Sequence, residues 1–163
     1  MHIWSALFCF FSLFFITFAP KFYRIMNIKE FLSANDRFAA NSGCRLVEVR
    51  EGYARAELVV TREHLNAGGV CQGGAFFTLA DIALAAVMNS RGLLTFGIEN
   101  NIVFLHSAKE GDTLTAEATE VFNHHKIPYV EARVSNQHGE LCCVVTGLAY
   151  RKGRTDDSLK FKV

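Results

Sequence analysis

Residues Val70–Ser90 read VCQGGAFFTLADIALAAVMNS. From Ala75 onward the apolar side chains fall on every side of a helix rather than along one stripe, which predicts a helix surrounded by protein. It is too short and too mixed to cross a membrane, and it carries Asp81 near its middle. A carboxylate flanked by Leu79, Ala80, Ile82 and Ala83 is costly to ionise unless paired, and burial raises its pKa. Such a group suits a general base or nucleophile near neutral pH. A structural role is the competing reading, with Asp81 capping a loop or pairing with Arg91 or Lys109.

On both sides of this helix the period changes from helical to alternating. Cys44–Arg50 and Tyr53–Val60 flank a Glu51–Gly52 turn, and Ala54, Ala56 and Leu58 alternate with Arg55 and Glu57. Beyond the helix, Leu94–His106, Asp112–Phe122, Tyr129–Asn136 and Glu140–Lys152 read as long antiparallel strands with one face buried. Upstream, Asn27 and Glu30 have capping-box spacing, and Ile28, Phe31, Leu32 and Phe38 recur at helical intervals until the Asn41–Gly43 stop. One apolar helix and about six antiparallel strands predict an α+β fold, a sheet curled round the helix.

The loop before the helix, HLNAGGVCQGG (His64–Gly74), carries the other candidate chemistry. Gly73 stands near the helix N-terminus, where backbone N–H groups lack internal partners and the dipole favours negative charge. Donors of that kind build an oxyanion hole for acyl transfer. The plainer reading is a helix start that needs a tight turn. Asn66 and Gln72 are polar loop residues able to orient a carbonyl or a water. Cys71 with His64 lacks an orienting third group, and the adjacent pair His124–His125 lacks metal-ligand spacing, so neither a thiol nucleophile nor a metal is expected. No cofactor is implied.

A chain of 163 residues suits one domain. A net charge of +1 without a basic stripe argues against nucleic acid as the partner. Five cysteines, two of them adjacent on an expected strand, make a poor disulfide framework and favour a reducing compartment. Residues 1–25 form an apolar N-terminal extension, read as upstream sequence from a misplaced start or as a signal or membrane anchor. The domain is expected over 26–152, with a charged flexible tail over 153–163. The expected localisation is cytoplasmic, with a membrane-anchored or exported protein as the alternative if residues 1–25 are translated.

His64–Ser90, together with FLHSAKEGDTLTAEA (Phe104–Ala118), resembles the signature of hotdog-fold acyl-CoA thioesterases of the PaaI type. Asn66, Gly73, Gly74 and Asp81 stand at the positions of that family's motif. Gln72 replaces its usual histidine, Gly97 stands where relatives often carry Ser or Thr, and His106–Ser107 replaces a proline bend. The resemblance implies hydrolysis of an acyl-CoA thioester by a homodimer or homotetramer with its active site across the subunit interface. In that picture Gly73, Gly74 and Gln72 face the thioester carbonyl, Asn66 holds the geometry, and Asp81 of the other subunit is base or nucleophile. Lys126 and Arg91 are candidate contacts for CoA phosphates. The Gln72 and Gly97 departures leave a non-catalytic acyl-CoA- or acyl-carrier-binding module as the alternative.

Overall fold

The structure is a computed structural model that describes residues 26–154 and 161–162. The apolar extension lies outside the described residues. In chain order the elements are β1 (Met26–Asn27), α1 (Ile28–Asn35), α2 (Arg37–Asn41), β2 (Arg45–Arg50), β3 (Tyr53–Val59), α3 (Gly73–Asn89), β4 (Leu93–Phe104), β5 (Thr113–Phe122), β6 (Tyr129–Ser135), β7 (Leu141–Arg154) and β8 (Phe161–Lys162), with a single 3-10 turn at Arg62–His64.

The alternating segments join into one six-stranded antiparallel sheet of order β2-β3-β5-β6-β7-β4. Its register aligns small residues in rows. Ala54, Ala118, Ala132 and Val145 pair across four strands, and Ala56, Ala116, Val134 and Cys143 form the next row. All eight are fully buried, so the sheet offers α3 a shallow trough of mostly methyl-sized side chains. Glu117, Thr119 and Arg133 project from the other, solvated face. This is the one-sided burial that the period-two pattern predicts, and the helix-in-sheet arrangement is the one the resemblance implies.

Helix α3 begins at Gly73, two residues before the apolar run, so both glycines lie within its first turn. Phe76, Leu79, Ala83, Leu84 and Val87 are buried, but Gly74 and Asp81 are exposed and Thr78 and Ala85 only half-buried, a stripe left partly uncovered. The expectation of a helix covered on all sides is therefore corrected: within one chain, the sheet leaves this stripe open. Asn89 at the helix C-terminus donates from Nδ2 to the Thr95 carbonyl (3.1 Å) and accepts from the Thr95 N–H at Oδ1 (2.9 Å). The pair fixes the start of β4 against the end of α3.

The N-terminal helix expected to be continuous is two helices. Asn27 caps α1 by accepting from the Glu30 N–H at 2.9 Å, as the spacing predicts. Asp36 then leaves helical geometry (ψ 84°) and restarts the chain by accepting from the Ala39 N–H. Gly43, at φ 73°, ends α2 in the left-handed conformation that glycine tolerates. Of the tail expected to be flexible, residues 153 and 154 continue β7, and Phe161–Lys162 pair in parallel with Met26–Asn27. No helix among the described residues is long and apolar enough to cross a membrane.

Candidate functional site

The first turn of α3 shares out its backbone donors. The Gln72 side chain caps the helix by accepting from the Gly74 N–H through Oε1, and the Ala75 N–H reaches the Gln72 carbonyl at 2.9 Å. Among the described residues, the Gly73 N–H has no acceptor. It is the one free donor at the positive end of a 17-residue helix, where a developing oxyanion is stabilised. Because Oε1 is committed to the cap, the Gln72 amide has only Nε2 left for a ligand.

The glycines are needed for more than a tight turn. A Cβ at Gly73 would stand 2.8 Å from the ring of Phe104, and one at Gly74 would stand 2.6 Å from Gln72 Oε1. The space expected to admit a substrate carbonyl over these residues is thus partly occupied by Phe104 and the Gln72 side chain. Phe104 is about half exposed and meets the buried Phe76 edge-on, with centroids 6.2 Å apart.

Asn66 shapes the loop rather than reaching the helix end. Its Oδ1 accepts from the Gly68 N–H (2.8 Å), while its backbone exchanges bonds with Val70 and Gly69. His64 ties the same loop down: Nδ1 accepts from the Thr61 N–H and Nε2 meets the Ser42 carbonyl. Cys71 is buried and its thiol is pushed up to about 11, which keeps it protonated and a poor nucleophile. His124 Nδ1 accepts from the Ile127 N–H at 2.9 Å, a turn-forming role.

Asp81 lies on the uncovered stripe at the mouth of a cleft of about 230 Å³ between α1, α3 and the start of β4. Ile28, Phe31, Leu32, Met88, Leu94 and Phe96 supply its apolar walls. The carboxylate reaches solvent, yet these walls crowd it. Desolvation is the main cause that raises its pKa above the ordinary carboxylate value; the negative charge of Asp36 adds to this, and a hydrogen bond from Asn100 opposes it. Asn100 Nδ2 donates to Asp81 Oδ1 at 3.0 Å. Neither Arg91 nor Lys109, the partners considered from sequence, takes this place.

Arg91 binds Glu120 and Glu51, and Glu120 is bonded in turn by the buried Arg151. A guanidinium so committed holds the helix C-terminus to the sheet, which gives Arg91 a structural role beside the phosphate contact considered for it. Lys126 stands on an exposed turn with its ammonium 5.7 Å from the Tyr150 ring centroid. Of the aromatic residues near the site, Phe96 lines the Asp81 cleft, whereas Phe76 belongs to the core. Asn100 was not singled out in the sequence. Its only sequence signal is the polar run Glu99–Asn101 in the middle of a strand whose ends are largely apolar.

Gly73 and Asp81 share one helix but are eight residues apart, about 12 Å along its axis. A reacting atom must lie roughly 3 Å from both its donor and its base. The Gly73 donor and the Asp81 carboxylate of one chain therefore cannot serve the same carbonyl carbon.

A sequence profile of the thioesterase superfamily matches residues 68–143. A putative esterase of Archaeoglobus fulgidus is 38% identical over 143 residues, covering 88% of this chain and 93% of its own. Acyl-coenzyme A thioesterase PaaI of Escherichia coli is 33% identical over 121 residues, covering 74% of this chain and 86% of its own. The solved structure of E. coli PaaI, from the phenylacetic acid degradation operon, superposes with a TM-score of 0.74 at 32% identity, over 76% of this chain and 90% of that one. A hypothetical thioesterase of Streptococcus pneumoniae solved with coenzyme A superposes with a TM-score of 0.66 at 26% identity, over 69% and 91% of the two chains.

Proposed function

The chain belongs to the PaaI-like, hotdog-fold branch of the thioesterase superfamily, and from that premise we propose that it hydrolyses acyl-CoA thioesters to the free acid and CoA. One observation carries the reading: a free helix-terminal N–H at Gly73 and a carboxylate of raised pKa at Asp81 lie along the same helix, with an uncovered stripe between them.

The site is completed by a second copy. Phe77 is halfway between Gly73 and Asp81, so a two-fold axis crossing α3 near it sets each Gly73 opposite the other copy's Asp81. The edge strand β4 supports the same assembly. It is 12 residues long, pairs among the described residues only with β7, and exposes Phe96, Ile98, Val103 and Phe104. An apolar unpaired edge of this length invites continuation of the sheet by another chain. The resulting homodimer, or a homotetramer of two such dimers, covers the open stripe of α3.

In this site the Gly73 N–H polarises the thioester carbonyl, with Gln72 Nε2 as a second donor. The partner copy's carboxylate, at the position of Asp81, takes a proton from water as the water oxygen bonds to the carbonyl carbon. The tetrahedral oxyanion rests on the Gly73 N–H. It collapses with cleavage of the C–S bond, and the proton passes to the departing sulfur. Direct attack by the carboxylate instead breaks the C–S bond, releases the CoA thiolate and gives an acyl anhydride; where water opens it at the Asp81 carbonyl, a single turnover in oxygen-labelled water marks Asp81, which the water-activated route does not. The cleft lined by Phe31, Met88 and Phe96 takes the acyl group, and Lys126 is a candidate for a CoA phosphate.

The test is thiol release from acetyl-, hexanoyl-, palmitoyl-, benzoyl- and phenylacetyl-CoA by the protein and its Asp81→Ala variant. Turnover of at least one substrate, falling by about 10²–10⁴ in the variant, is the expected result. Tight binding across the panel without Asp81-dependent turnover would replace this reading with a non-catalytic acyl-CoA-binding module, for which the Gln72 and Gly97 departures would then account.

A further inference from the structure

Asn100 is placed in a way the strand alone does not require. It lies on β4 directly opposite Gly147 of β7, and the missing side chain of that glycine leaves a recess for its amide. A Cβ at Gly147 would stand 2.5 Å from Asn100 Oδ1, with Met88 and Val130 each 3.3 Å away as the remaining walls. Oδ1 is buried there without a hydrogen-bond partner. The other end of the amide emerges beside α3, where Nδ2 donates to Asp81.

The recess is apolar and offers the amide oxygen nothing. A leucine of similar shape would fill it without stranding an acceptor. Turning the amide over is no remedy, since it would set an oxygen against the Asp81 carboxylate and bury an N–H group without an acceptor. The polar atoms of Asn100 therefore make sense only through Asp81. Among the described residues, Asn100 is the only side-chain hydrogen-bond partner shown for that carboxylate. Asp81 is the one titratable residue lining its cleft, and the charge that acts on it from the neighbouring helices is that of Asp36.

We propose that Asn100 is a positioning residue: its amide fixes one oxygen of Asp81 and leaves the other free to face the thioester and water. This rests on Asp81 being the reactive carboxylate. Holding one oxygen limits rotation of the group, so the lone pair that accepts the proton keeps a set direction. The same donor favours the ionised form, opposing the burial that disfavours it. Gly97 leaves this spot accessible, because a Cβ there would have only Asn100 Nδ2 within 4 Å, at 3.9 Å. A serine at 97 therefore has room to direct its hydroxyl toward the place vacated by the Asn100 amide.

The experiment compares Asn100→Leu, Asn100→Ala and Asn100→Ala with Gly97→Ser, using the full chain, with Asp81→Asn alongside. Carbon NMR of the Asp81 carboxyl gives its titration, and steady-state kinetics give kcat, KM and the acid limb of the pH profile. Asn100→Leu should titrate Asp81 at higher pH, move the acid limb of kcat the same way, and lower kcat by ~10²-fold with KM little changed. Gly97→Ser should restore part of the kcat lost in Asn100→Ala, a rescue that a packing role would not give. If Asp81 titrates unchanged in Asn100→Leu and kcat is retained while Asp81→Asn is inactive, the positioning role is overturned and the catalytic reading of Asp81 survives. Full activity in Asp81→Asn would instead remove the catalytic reading, and the proposal with it.

Discussion

At Asp81 the carboxylate meets apolar cleft walls on one side and solvent on the other, with Asp36 near enough to oppose its ionisation. The folded state therefore binds this proton more tightly than the unfolded chain does. At low pH both states are protonated and the residue costs nothing. As pH rises from the ordinary carboxylate range through the raised pKa, the unfolded chain loses its proton first and stability falls. Asp81→Asn should accordingly raise Tm near about pH 7, and the gain should shrink as the pH falls toward about 4. Thermal melts of both proteins across that range check it, and a pH-independent difference would contradict the account. A residue that weakens the fold where the fold works is the usual mark of a site kept for chemistry.

At the scale of the element, the N-terminus of α3 separates its donor from its shape. Gly73 is the first helical residue, its N–H is free, and Gln72 before it is extended at φ −71°, ψ 139°. Proline is acceptable at a first helical position and after an extended residue, so Gly73→Pro deletes one N–H with little strain on the helix. Gly73→Ala places a similar Cβ against Phe104 but keeps the donor. Activity in the proline variant should fall about 10²–10³-fold below that of the alanine variant. Equal activities would show that Gly73 matters only for the space it leaves. The same helix marks what the sequence made legible. Its apolar composition, and the alternation in β3, β5 and β6, follow from local periods and survive in the structure. The break at Asp36 was not legible, because a capping aspartate and a helical one look alike until the chain turns. Asn100 was hidden by register: β4 shifts against β7 between Gly97 and Glu99, and a one-residue slip decides which side chains face the helix. The Arg91 ion pairs join a helix end to Glu51 in the β2–β3 turn and Glu120 on β5, both far away in sequence, and no spacing announces them.

For the whole molecule, the open stripe on α3, the unpaired edge of β4 and the axial distance from Gly73 to Asp81 make one argument. On the proposed reading a single chain carries both reactive groups but cannot apply them to one carbonyl, whereas two copies related by a two-fold axis through α3 would, twice over. On the proposed assembly, the stripe that this apolar helix leaves uncovered within one chain is covered by a second copy. The arrangement predicts complementation between defective chains. Gly73→Pro retains a working carboxylate, Asp81→Asn retains a working donor, and each alone should be nearly inactive. In a dimer containing one of each, one site combines both lesions and the other combines both intact groups. Mixing equal amounts, with subunit exchange by mild denaturation and refolding, makes about half the dimers mixed and should restore about a quarter of the wild-type activity. Recovery should scale with the fraction of mixed dimers resolved by mass spectrometry of the intact assembly. If mixed dimers form and remain inactive, donor and base do not meet across the interface, and the shared site falls.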